Sequence, residues 1–74
     1  MNQNQIKNQR SLIYRNNTMV LELCMRDVHN AVFKYGDMYI FAYGVSFNEG
    51  KQEVEWQHGS YNLTFEQARE RFVR

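Results

Sequence analysis

The sequence lacks the features that mark secreted, membrane-spanning and strongly charged proteins. Its 74 residues include one cysteine, Cys24, so the internal disulfide framework that staples small secreted domains is excluded. There is no run of about 18 apolar residues, and residues 1–10 are rich in Asn and Gln rather than apolar. We therefore expect a reducing, cytoplasmic location, with neither export nor a membrane span.

The sequence also lacks a charge excess of either sign. Nine basic and eight acidic side chains give a formal net charge of +1. This balance supplies neither the basic field that attracts phosphate backbones nor an acidic mimic of nucleic acid. Net charge therefore identifies no class of partner.

Apolar side chains, in contrast, are plentiful. They make up 43% of the chain, and a length of 74 residues suits one domain with a thin core. Residues 1–17 hold five Asn, three Gln and three basic side chains without an acid. We predict a mobile basic arm over residues 1–17 and a single α+β domain over residues 18–74. Leu12, Ile13 and Tyr14 could pin the arm as an edge strand or a helical turn.

Residues 18–35 carry two competing patterns. Apolar side chains from Leu21 to Tyr35 recur at helical spacing, and Gly36 stands where a helix C-cap would be. The first half of the segment also alternates apolar with other side chains, and residues 27–30 could turn into a second strand. We favour one or two strands, because a lone hairpin makes a meagre sheet. The alternative is a helix, which would give an α-β-β-α order.

The middle of the chain indicates a β-hairpin. Residues 38–47 are rich in aromatic and β-branched side chains, and residues 52–58 alternate polar with apolar. The Asn-Glu-Gly sequence at residues 48–50 suits a three-residue loop with its glycine in the left-handed conformation. This loop predicts that Phe47 lies opposite Lys51.

In that register, the side chains of the hairpin alternate between two faces. One face is apolar, and we expect the C-terminal helix to pack on it: Ile40, Ala42, Val54 and Trp56. The other face is an aromatic stripe edged with acids: Tyr39, Phe41, Tyr43, Glu53 and Glu55. Residues 18–35 could cover this stripe as core. An exposed stripe would instead be a protein interface.

The end of the chain predicts a helix over residues 65–73. Thr64 and Gln67 have the spacing of a capping box, and Leu63 and Ala68 have that of a hydrophobic staple. The predicted fold is therefore a small antiparallel sheet, with the 38–47/52–58 hairpin and strands from residues 19–35, packed by a C-terminal helix.

Catalytic and metal-binding patterns are missing. His29 and His58 have no Cys, Asp or Glu at metal-ligand spacing, so we expect surface histidines and no metal or cofactor. Cys24 lies in an apolar run, which favours a buried, inert thiol. Glu53 and Glu55 fit a solvated strand face better than acid–base chemistry. We therefore expect a protein that is not an enzyme.

The stretch from Tyr35 to Phe41 resembles the aromatic strand with which RNA-recognition domains stack bases. It lacks the basic lead residue of that strand, and the chain lacks the length of the β-α-β-β-α-β fold. The neighbouring Glu53 and Glu55 would repel a phosphate backbone. The basic arm and the C-terminal arginines, in contrast, favour contact with phosphates. Single-stranded nucleic-acid binding through them is therefore kept as an alternative function.

These observations favour a small protein-interaction module. We expect it to bind a larger protein through Tyr39, Phe41 and Tyr43, with Glu53 and Glu55 selecting a basic rim on the partner. Its size suggests an accessory or inhibitory protein of a bacterium, phage or mobile element. A further alternative is a homodimer that pairs the stripe or an open strand edge.

Overall fold

A computed structural model describes residues 12–74, which form seven strands and one helix. The elements are β1 (Ile13–Asn16), β2 (Met19–Arg26), β3 (Asn30–Tyr35), β4 (Met38–Tyr43), β5 (Ser46–Asn48), β6 (Glu53–Glu55), β7 (His58–Leu63) and α1 (Phe65–Val73). The expectation of a small sheet with one C-terminal helix is confirmed. The helix alternative for residues 18–35 is wrong, because β2 and β3 occupy that segment.

The strand order is β5-β6-β1-β2-β3-β4-β7. All pairs are antiparallel except β1 with β6, which run parallel at Arg15 and Glu53. A main-chain hydrogen bond of 2.9 Å from Arg15 N to Gln52 O supports this parallel contact. Strand β1 thus lies inside the sheet rather than at its edge.

Strands β4 to β7 form one long, bent hairpin. Tyr43 pairs with His58 and Ser46 pairs with Glu55, so the same register continues across both bends. Gly44, at φ 73°, makes the bend between β4 and β5, a conformation that favours glycine. Strand β4, in the first half of the hairpin, pairs with β3, and β6, in the second half, pairs with β1. The sheet therefore closes into a ring of five chain segments: β1, β2, β3 and the two halves of the hairpin.

The interior of this closed sheet is the main core. Its buried side chains are Tyr14, Leu21, Ala31, Phe33, Ile40, Ala42 and Val54. Phe47 and Trp56 pack against them, with ring centroids 6.1 Å and 5.6 Å from that of Phe33. Side chains fill the inside of so small a closed sheet, so no internal channel is formed.

The hairpin exists, but its predicted register is wrong. Asn48 pairs with Glu53, which leaves a four-residue loop over residues 49–52. Asn48 Oδ1 accepts a hydrogen bond of 3.1 Å from Lys51 N, and Gln52 rather than Gly50 takes the left-handed conformation, at φ 54°. The side chain of Asn48, rather than the predicted left-handed Gly50, therefore organises the turn.

The helix packs on the face opposite to the predicted one. A second core cluster on the outside of the sheet joins Val32 and Leu63 to Ala68, with Tyr39, Phe41 and Phe72 packed against it. Ile40, Ala42, Val54 and Trp56 do share a face, as predicted, but that face lines the interior. At each of the two bends, residues 44–45 and 56–57, the alternation of side chains between the two faces shifts by one residue. A straight hairpin would keep the same alternation throughout.

The helix itself begins and ends where the sequence predicts. Thr64 Oγ1 accepts a hydrogen bond of 3.1 Å from Gln67 N, and Gln67 Oε1 accepts one of 2.9 Å from Thr64 N. Both halves of the capping box are therefore present.

The predicted arm overlaps the sheet. Residues 13–16, predicted as part of the arm, form β1, and Tyr14 is buried in the interior. Residues 1–11 of the predicted arm lie outside the described residues.

Candidate functional site

The aromatic half of the predicted interface lies mostly beneath the helix. Tyr39 and Phe41 belong to the outer core cluster, and the Tyr39 ring meets Phe65 edge to face at a centroid distance of 5.3 Å. Tyr43 lies farther along β4, is 50% exposed and has its ring 6.2 Å from His58. Of these three aromatic residues, only Tyr43 offers a largely exposed ring.

The acidic half of the predicted interface lies elsewhere. Glu53 and Glu55 are exposed on β6, on either side of the buried Val54. They pair with Asn48 and Ser46 beyond the bend of the hairpin, whereas Tyr39 and Phe41 lie before the bend and beneath the helix. The structure therefore does not bring the aromatic and acidic residues together on one surface.

Instead, Glu53 and Glu55 border a cleft of about 650 Å³ where β1 ends and β7 begins. The cleft is also lined by Arg15, Asn16, Asn17, Val54, Trp56 and Tyr61. We call it the β1/β7 cleft. Arg15 contributes one positive charge against two carboxylates, so the lining is acidic overall.

An aromatic pair dominates the lining of this cleft. Trp56 Nε1 donates a hydrogen bond of 2.8 Å to Tyr61 Oη, and the two ring centroids lie 6.4 Å apart. The other side of Trp56 packs on Phe33 in the interior. Tyr61 is 47% exposed. One ring of the pair is therefore fixed by the core, and the other is presented to solvent.

Gly59 makes room for this pair. A Cβ atom at residue 59 would lie 2.6 Å from Tyr61 Oη and 2.9 Å from Trp56 Nε1. Any other side chain would push the rings away from the strand. The pair was not predicted from the sequence, although an aromatic residue on either side of a glycine in one strand segment is a signal for it.

The side of the cleft formed by β1 ends abruptly. Asn16 Nδ2 donates a hydrogen bond of 3.0 Å to Val54 O, and Asn17 then turns the chain away with φ 56°. Within residues 12–74, β7 pairs only with β4. The edge of β7 beyond the end of β1 is therefore unpaired among these residues, and Tyr61 of β7 lines the cleft.

A second cleft, of about 610 Å³, lies between the β2–β3 turn and β5 and is bordered by Glu49. The Arg26 guanidinium lies 3.6 Å from the Phe47 ring centroid and forms a salt bridge of 2.7 Å with Glu49. Tyr14 Oη donates a hydrogen bond of 2.7 Å to the same carboxylate. These contacts hold the turn after β5 against the interior, so we assign this region a structural role.

The remaining reactive side chains form no site. His29 and His58 are exposed, as predicted. Cys24 is exposed, so its predicted burial is wrong: Leu21 and Leu23 of the same strand face the interior, and strand alternation therefore places Cys24 on the outer face. Partial desolvation, and then the charge of Glu22, raise the pKa of the Cys24 thiol, which lowers its reactivity. No group of three metal-binding side chains occurs in the part of the chain that the structure describes.

Over residues 12–74, no helix has the length and apolarity needed to cross a membrane. Comparisons with known protein families, curated proteins and solved structures found no match for this chain.

Proposed function

We propose that this protein is a small, non-enzymatic protein-interaction module that holds a segment of a larger protein in the β1/β7 cleft. The observation that carries the proposal is the Trp56–Tyr61 pair, which is hydrogen-bonded, anchored on the core and open to solvent on its Tyr61 side. Such a module would act as an accessory or inhibitory protein by occupying a surface of its partner.

The aromatic pair suits a binding role for energetic reasons. Tyr and Trp supply large contact areas and are enriched among residues that dominate binding energy. The contact of Trp56 with Phe33 and its hydrogen bond to Tyr61 restrict both rings before a partner arrives. Less conformational entropy is then lost on binding.

The acidic border indicates the charge of the partner. Glu53 and Glu55 are exposed, and neither forms a salt bridge with another described residue. Carboxylates at the rim of an interface favour partners with basic groups and speed their association. The two acids thus keep the partner-selecting role expected from the sequence, next to Trp56 and Tyr61 rather than Tyr39 and Phe41.

The test is a selection of peptides from a displayed random library on the immobilised protein, followed by affinity measurement in solution. We expect selected peptides to be basic and to lose about tenfold or more in affinity with Tyr61→Ala. The matched control is Tyr35→Ala, because Tyr35 is 44% exposed at a strand end away from the cleft. This variant should bind like the wild type.

Two results would contradict the proposal. One is a selection that yields no binder; the other is a set of binders unaffected by Tyr61→Ala. If labelled single-stranded nucleic acid bound instead, with affinity falling steeply as salt rises, the alternative function would replace it.

A further inference from the structure

We infer that the partner segment binds as an added β-strand along the free edge of β7, with basic and apolar side chains in alternation. This inference rests on the proposed function and specifies how the β1/β7 cleft is used. It follows from the strand order, the direction of the main-chain hydrogen bonds and the chemistry of the two sides of the cleft.

The strand order leaves a vacant position beside β7. Segment 53–63 has the other half of the hairpin on one side along its whole length. On its other side, β1 pairs at Glu53 and ends at Asn16. A strand added beside β7 would continue the line of β1, and the cleft, which is lined by the end of β1 and by Tyr61 of β7, opens at the start of this position.

The main-chain groups of β7 have the direction that such a strand needs. Gly44 N donates to His29 O, so residue 44 faces β3, whereas Tyr43 O accepts from Gln57 N and faces β7. Tyr43 pairs with His58 and Phe41 with Ser60, so these two β7 residues point their main-chain groups at β4. Because the direction alternates along an antiparallel strand, Gly59 points its N–H and C=O at the free edge.

The free edge is short. The register shifts between Tyr39 and Phe41, and Asn62 on β7 adopts the left-handed conformation at φ 59°. Bulges of this kind end regular pairing and protect natural edge strands from open-ended association. The edge therefore accepts a segment of a few residues and does not template a fibre.

The side chains beside the edge define the sequence of the added strand. Side chains of a strand alternate between its two faces. On one face they would meet Trp56 and Tyr61, which favours apolar residues. On the other face the end nearest β1 would meet Glu55, with Glu53 farther along the cleft beside Arg15, which favours Lys or Arg at that end.

A second copy of this chain fits the edge less well. Strand β7 has the sequence His-Gly-Ser-Tyr-Asn-Leu, without Lys or Arg. Pairing β7 with its own copy would leave both carboxylates of the cleft without an opposite charge from the added strand. A basic extended segment of another protein supplies that charge.

The probe is a blocked hexapeptide that alternates arginine and valine, titrated into isotopically labelled full-length protein. Three matched peptides accompany it. In one, glutamate replaces arginine; in the second, the valine amides are N-methylated; in the third, the arginine amides are N-methylated. Alternate amides of a strand point to opposite edges, so only one N-methylated set blocks pairing with β7. The readout is the chemical shift of the Gly59 amide and the Trp56 indole N–H.

We expect saturable shifts at both groups, and about tenfold weaker binding for the glutamate peptide and for one of the two N-methylated peptides. No shift at Gly59 at about 5 mM peptide would overturn the inference. Equal binding of both N-methylated peptides, with Tyr61→Ala still weakening affinity, would remove strand addition but leave the proposed function standing. A molecular mass that doubles as concentration rises, with Gly59 shifting without peptide, would assign the edge to a second copy.

Discussion

Tyr14 joins the interior of the closed sheet to its surface. Its ring is buried and lies 5.0 Å from the Phe47 ring, while its hydroxyl donates to Glu49. Because Glu49 also pairs with Arg26, one carboxylate connects β1, β2 and the turn after β5. This residue thus fixes the turn against the strand that closes the sheet.

The first prediction concerns the titration of Tyr14. Burial, and then the hydrogen bond to Glu49, raise the pKa of Tyr14 above its ordinary value of 10.0. Since the folded protein favours the neutral phenol, this stabilisation is complete below pH 10.0 and is lost as pH rises through the raised pKa. We expect the free energy of unfolding to fall above that pH more steeply in the wild type than in Tyr14→Phe.

The measurement is urea unfolding of the wild type and Tyr14→Phe between neutral and strongly alkaline pH. Tyr35→Phe is the control, because Tyr35 is exposed, and it should follow the wild type. Parallel curves for wild type and Tyr14→Phe would show that the ionisation of Tyr14 is not linked to folding.

At the scale of elements, α1 was the most predictable part of the fold. Its start depends on Thr64 and Gln67, three residues apart, so the signal is local. The face on which it packs depends on the bends of the hairpin, which involve Gly44 at φ 73° and a loop organised by Asn48. Those features are set by tertiary pairing with β1 and β3, so strand alternation alone did not reveal them.

The same reason explains what was missed in the candidate site. Glu53 and Glu55 were recognised as an exposed acidic pair. Their neighbours Arg15 and Tyr61 lie far from them in sequence or beyond a bend, and the cleft exists only because β1 closes the sheet and stops at Asn16. No spacing pattern along the chain predicts a parallel contact of this kind.

The second prediction tests the packing of α1 on the outer face. Phe72 packs into the outer core cluster, whereas Val73 is 65% exposed. We expect Phe72→Ala to lower the free energy of unfolding by about 2 to 3 kcal/mol, because it leaves a cavity beneath the helix. Val73→Ala should change it by less than about 0.5 kcal/mol. Chemical denaturation followed by circular dichroism measures both, and similar values for the two variants would contradict the observed packing.

At the scale of the whole molecule, the closed sheet explains how so small a chain builds a core without disulfides. Closure pairs the segments of the ring with one another, and the interior is filled from all of them. Closure removes most open strand edges, which otherwise invite aggregation. The edge of β7 beside the cleft is an exception, and we propose that it is where the protein meets its partner.

Amide hydrogen exchange of Arg15 and Gly59, with and without a selected peptide, tests this proposal most directly. Arg15 N is bonded to Gln52 O across the closing contact, so we predict slow exchange in both states. Gly59 should exchange rapidly in the free protein and slowly in the complex. Slow exchange of Gly59 without peptide would show that its edge is already paired, and rapid exchange of Arg15 would show that the sheet is not closed.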